Sequence, residues 1–143
     1  MEVQAGLYRV HTTNRNIVVF CATRRGEPIA PNVSLIDSRD YWSVLRFQHM
    51  DNGYQLVFRD DPGMVIGFDE YDERIPIKVM PLAAGPQTIW QVTPAGGGKY
   101  HIQATKPNKY WTVLQEDYRD SPIQLEGLRG EPGQSWFIEP VND

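Results

Sequence analysis

Lys99-Tyr100-His101-Ile102-Gln103, Tyr110-Trp111-Thr112-Val113, Ile123-Gln124-Leu125 and Trp136-Phe137-Ile138 are the four short runs whose reading decides the fold. Each alternates apolar and polar side chains and is bounded by turn-forming residues, the pattern of a half-buried strand. The same set of four stands twice more upstream. Tyr8, Tyr54 and Tyr100 open the three sets at intervals of 46 residues. Trp42, Trp90 and Trp136 open the last strand of each set, at intervals of 48 and 46 residues. Between them the pattern predicts second strands at 17–20, 64–66 and 110–113, and third strands at 33–35, 77–79 and 123–125. An internal repeat of this length is one supersecondary unit used three times.

The rest of the composition bounds the answer. A chain of 143 residues with 41% hydrophobic and 22% charged residues is long enough for one real core. We therefore read 1–143 as a single domain, with repeats at about 6–50, 53–95 and 99–141. Eleven Pro and twelve Gly suit many short strands joined by turns. A net charge of −4 gives no reason to expect nucleic acid or an anionic membrane as partner. No apolar run approaches the roughly 18 residues of a membrane span. Met1-Glu2-Val3-Gln4-Ala5 has neither a basic nor an apolar leader segment, so the expected location is cytoplasmic.

Residues capable of chemistry are few. Cys21 is the single cysteine and reads as a small core residue at the end of a strand. His11, His49 and His101 have no metal-ligand spacing and read as surface histidines. Asp69-Glu70-Tyr71-Asp72-Glu73 lacks the spacing of a calcium loop, and Gly96-Gly97-Gly98 lacks the Lys-Ser/Thr of a phosphate loop. No nucleophile motif is present. No cofactor or metal and no enzymatic activity are expected. Loop length is the remaining signal. From second to third strand the first repeat takes 15 residues against 12 in the others, so the stretch 23–32 stands out as a long, basic loop of the kind that carries binding.

Twelve strands in three equal units with recurrent Tyr and Trp resemble the β-trefoil, an all-β fold of pseudo-threefold symmetry. There six strands close a barrel and six form three capping hairpins, which removes free sheet edges. The repeated rings are then structural, and the resemblance places them near the threefold axis.

The whole chain resembles the small β-trefoil proteins of mushrooms, in particular serine protease inhibitors of the cospin and cnispin type. Gly6-Leu7-Tyr8-Arg9-Val10, the long loop after the second strand, Tyr110-Trp111-Thr112 and Trp136-Phe137-Ile138 carry the likeness. It implies substrate mimicry, with a rigid loop entering the cleft of a trypsin-like serine protease. Arg24 or Arg25, followed by Gly26 and Glu27, would present the specificity residue; Arg129 and Gly130 form a second candidate loop. The cysteine-protease inhibitors clitocypin and macrocypin are a looser match. Some of them use an Asn after the fifth strand, where this chain has Asp60-Asp61-Pro62-Gly63. The alternative resemblance is to ricin-B-like lectins, marked by Gln-x-Trp, which Gln134-Ser135-Trp136 satisfies. It implies glycans of the galactose type as partners. Tyr71, with Asp60 or Asp61, and Tyr118, with Asn108, would then supply a ring for the sugar face and an acceptor for its hydroxyls.

Overall fold

A computed structural model of the chain describes residues 3–12, 18–22, 30–32, 41–42, 44–69, 77–82, 85–104, 108–113, 123–130 and 132–141, with only the backbone at 18–22, 30–32, 41–42 and 132. These form thirteen strands and two short 3₁₀ turns. The first repeat holds β1 (Gly6–His11), β2 (Val18–Ala22), β3 (Ala30–Asn32), β4 (Tyr41–Trp42) and β5 (Leu45–Met50). The second holds β6 (Gly53–Phe58), β7 (Met64–Phe68), β8 (Ile77–Pro81) and β9 (Ile89–Gly96). The third holds β10 (Lys99–Ala104), β11 (Tyr110–Thr112), β12 (Gln124–Glu126) and β13 (Phe137–Pro140).

Antiparallel pairing runs β1–β5–β6–β9–β10. β13 returns to β1, with Tyr8 opposite Pro140 and His11 opposite Phe137. Trp136, just before β13, exchanges two backbone hydrogen bonds with Tyr100 at 2.7 and 2.9 Å. Six strands therefore close on themselves, and β2–β3, β7–β8 and β11–β12 remain as three hairpins. This is the β-trefoil arrangement, and closure leaves the barrel strands without an unpaired edge.

The core follows the alternation. Val10, Phe47, Leu56, Phe58, Ile66, Ile77, Ile102 and Ile123 are buried in one cluster. At its centre Phe68, Trp90, Trp111 and Trp136 stack in series, with successive ring centroids 5.7, 5.4 and 5.9 Å apart and the indoles edge-on to one another. Trp90 Nε1 donates to the Ile66 carbonyl and Trp136 Nε1 to the Trp111 carbonyl, the same bond in two repeats. Ile66 and Trp111 therefore hold equivalent places. The tyrosines pack elsewhere: Tyr8 and Tyr54 flank Phe47, and their hydroxyls donate to the carbonyls of Gln4 and Val3.

The first repeat departs from its expected layout. Its β3, Ala30–Asn32, pairs with β2 from Phe20–Ala30 to Val18–Asn32, and the third strand expected at 33–35 lies outside the described residues. The stretch 23–32 is thus not one loop. Seven residues separate β2 from β3, against eight between β7 and β8 and eleven between β11 and β12. The rest of that stretch, 23–29, lies outside the described residues. Its fourth strand is also divided, β4 pairing with β2 and β5 with β1 and β6. His11, expected at the surface, is buried. Gly96, Gly97 and Gly98, the joint between the second and third repeats, have φ of 92°, 63° and 79°, a run that side chains with a Cβ adopt at a cost.

Candidate functional site

In the third repeat three strands bring a polar row to the side opposite the core. Ile102 and Ala104 of β10 point inward and are buried, so His101 and Gln103 point outward, and both are half-buried. Gln103 lies opposite Tyr110 of β11, and Tyr110 lies opposite Glu126 of β12. Directly opposed residues in antiparallel strands share a face. Gln103, Tyr110 and Glu126 therefore form one row across three strands, each partly open to solvent.

Neighbours extend and steady the row. The His101 ring meets Tyr110 edge-on at 5.5 Å. Gln103 Nε2 donates to Oδ1 of Asn108, an exposed residue in the β10–β11 turn. The Arg129 guanidinium faces the Glu126 carboxylate at 3.6 Å. Behind it, Gln134 fastens the segment after β12. Its Nε2 donates to Thr112 Oγ1 at 3.1 Å and to the Gly127 carbonyl at 2.8 Å, and its Oε1 accepts from the Arg129 backbone N–H at 2.7 Å. All of these except the exposed turn residues stand on strands or are tied to them, which keeps the geometry fixed without a ligand.

Chemically the row offers a ring edge and face, two side-chain amides, an imidazole and a carboxylate. An aromatic face takes the apolar C–H side of a sugar ring, and amide and carboxylate oxygens accept from its hydroxyls.

The residues singled out from sequence fall as follows. Arg24, Arg25, Gly26 and Glu27 lie outside the described residues, as do Tyr71 and Tyr118. Asp60 is exposed and pairs with the neighbouring Arg59 at 3.2 Å. Asp61 accepts the Gly63 backbone N–H within the same turn. That turn sits at the end of β7–β8 where Met64 faces Pro81; the segment containing Tyr71 leaves from the other end, where Phe68 faces Ile77. Asn108 and Arg129 come together with Gln103, Tyr110 and Glu126 on one face. The φ of 71° at Gly130, next to Arg129, turns that loop away from extended backbone. Sequence reasoning passed over Gln103, Tyr110 and Glu126, because Tyr110 belongs to the Tyr-Trp-Thr run taken as fold-determining. Comparing outward positions between repeats would have found them: where the third repeat has Gln103, Tyr110 and Glu126, the second has Val57, Val65 and Met80.

No family model matches the chain, and no curated protein matches it. Solved structures do. A mosquitocidal holotoxin superposes with a TM-score of 0.84 at 18% identity over 99% of this chain, which spans only 18% of that one. The designed three-fold symmetric protein ThreeFoil gives 0.79 at 16% identity, covering 95% of this chain and 99% of its own. The Macrolepiota procera ricin B-like lectin, solved in complex with lactose, gives 0.75 at 14% identity, covering 99% and 100%. At such identities the likeness speaks to architecture, and it agrees with the pairing above: the chain is a β-trefoil.

Proposed function

We propose that this chain is a non-catalytic carbohydrate-binding module that takes galactose-type glycans on the Gln103–Tyr110–Glu126 face. The observation that carries the reading is the row itself: a half-open tyrosine flanked by an amide and a carboxylate on three paired strands. Full-length likeness to a ricin B-like lectin crystallised with lactose supports it at the level of fold. The protease-inhibitor reading has less behind it. At Arg129 the guanidinium is turned to Glu126, the backbone N–H is held by Gln134, and the next residue is in the left-handed region. A loop that mimics substrate needs an extended backbone and a side chain presented outward.

Calorimetric titration with lactose, on the parent chain and on Tyr110→Ala, tests the proposal. Binding by the parent, weakened about tenfold or more in the variant, is the expected result, since a lost stacking ring is worth on the order of 1.4 kcal/mol. Absence of binding to any galactose-terminated glycan, together with stoichiometric trypsin inhibition lost on Arg24→Ala/Arg25→Ala, would replace the reading with the inhibitor one.

A further inference from the structure

A second cleft lies away from this face, between the β5–β6 turn and the segment leading into β9. It encloses about 440 Å³, within the usual range for small-molecule sites. Met50, Leu82 and Ile89 supply apolar walls, and Met50 and Leu82 are 43% and 45% exposed. Gln55 and Thr88 line it too, although they are only 7% and 1% exposed.

The orientation of the Gln55 amide is fixed by its partners. Nε2 donates to the Leu82 carbonyl at 3.4 Å and to Thr88 Oγ1 at 3.1 Å. The Thr88 hydroxyl in turn donates to the Gly85 carbonyl at 2.7 Å, so it meets Gln55 as an acceptor. Both partners demand the N–H side of the amide, and the oxygen faces the other way. Gln55 Oε1 accepts no hydrogen bond from the described residues. Nor is it sealed off, as Gln87 Oε1 and Trp111 Nε1 are. Among the described residues it is a fixed, unpartnered acceptor of a residue more than nine-tenths buried, in a cleft whose lining is mixed: Met50, Leu82, Pro86 and Ile89 are apolar, and Asp51, Asn52 and Thr88 are polar. Asp51, exposed at the rim, is the charged side chain among the described lining.

We infer that this cleft binds an organic ammonium ion with a compact apolar body. The ammonium donates to Gln55 Oε1 and faces the Asp51 carboxylate, while the body lies between Met50, Leu82 and Ile89. An alcohol of the same shape keeps the hydrogen bond but loses the attraction of Asp51; a carboxylate is repelled by Asp51 and has no donor for the Gln55 oxygen. This site is independent of the glycan face, and neither proposal needs the other.

The test is a titration with 2-phenylethylammonium followed by ¹H–¹⁵N NMR, with 2-phenylethanol and 3-phenylpropanoate as matched probes. Saturable shifts confined to 50–55 and 82–90, in the order ammonium over alcohol over carboxylate, are expected. Asp51→Asn should weaken ammonium binding about fivefold, the scale of a solvent-exposed ion pair, and leave alcohol binding unchanged. Leu82→Ser should weaken the ammonium and the alcohol alike, with resonances elsewhere in the spectrum unmoved. No saturable shift by about 20 mM, a concentration well above a millimolar Kd, would overturn the inference. So would shifts elsewhere, equal binding of the three probes, or ammonium binding indifferent to Asp51→Asn.

Discussion

Val57, Val65 and Met80 in the second repeat and Gln103, Tyr110 and Glu126 in the third occupy the same three backbone positions. In each repeat the first residue pairs with the second and the second with the third, in the same register. Val57 and Val65 are buried, at 4% and 0% exposure, whereas all three residues of the third repeat meet solvent. The inward-facing residues explain why the register matches. Ile66 and Trp111 accept equivalent indole hydrogen bonds, and Val79 and Leu125 lie opposite them. One-residue slippage would turn these apolar side chains out of the core, so the inward face fixes the pairing. The outward positions are then free to differ between repeats without changing the pairing register. A symmetric scaffold thereby carries an asymmetric surface, and its function is to be sought where the repeats disagree.

The connections beside the two rows differ in the same sense. In the second repeat Gly67 stands where the third has Thr112, and Met80 and the Gln87 backbone crowd the space a side chain there would need. In the third repeat Thr112 bonds to Gln134, which holds the segment carrying Arg129. At these matched positions the second repeat packs apolar groups, and the third makes hydrogen bonds.

Substitutions at matched positions put this contrast at risk. Val65→Asn should cost about 3 kcal/mol in urea unfolding, since it removes packing and buries an amide without a prepared partner. Tyr110→Asn, at the equivalent half-open position, should cost no more than about 1 kcal/mol. Equal losses would mean that the two rows are not differently used. Gln134→Leu should cost about 2 kcal/mol, because the Thr112 hydroxyl, the Gly127 carbonyl and the Arg129 N–H all lose a partner. Amide exchange at Arg129 should quicken in that variant, and unchanged exchange would show that Gln134 does not hold the segment. Glu126→Gln should lower affinity for lactose about fivefold while leaving the unfolding midpoint almost unmoved. Arg129→Ala should change stability by no more than about 0.5 kcal/mol, as expected of an ion pair open to solvent. A larger change would make Arg129 a structural anchor rather than part of the surface.

The sequence made the barrel legible because its core is written in large rings at a fixed period. Trp90 and Trp136 were expected to be structural, and both are fully buried. The first repeat was misread for a physical reason. Residues 30–32 read as the end of a loop, and the alternation of Val33-Ser34-Leu35 as the third strand. Among the described residues β3 has β2 as its one partner and ends the pairing path, and a proline missing one N–H is tolerated on such a strand. His11 was misjudged because its position at a strand end says nothing of what covers it. The polar face was not visible for a different reason. A glutamine, a tyrosine and a glutamate at outward strand positions are ordinary, and only the pairing register that aligns them with two valines and a methionine makes them a set.

The central claim is that the third repeat, and not the second, carries the proposed glycan-binding surface. ¹H–¹⁵N NMR during a lactose titration tests it most directly. Shifts centred on His101, Gln103, Asn108, Tyr110 and Glu126, with Val57, Val65 and Met80 unmoved, are the expected result. Shifts centred on the second repeat, or none at a lactose concentration of about 50 mM, where even a Kd of several millimolar gives near-saturation, would contradict it.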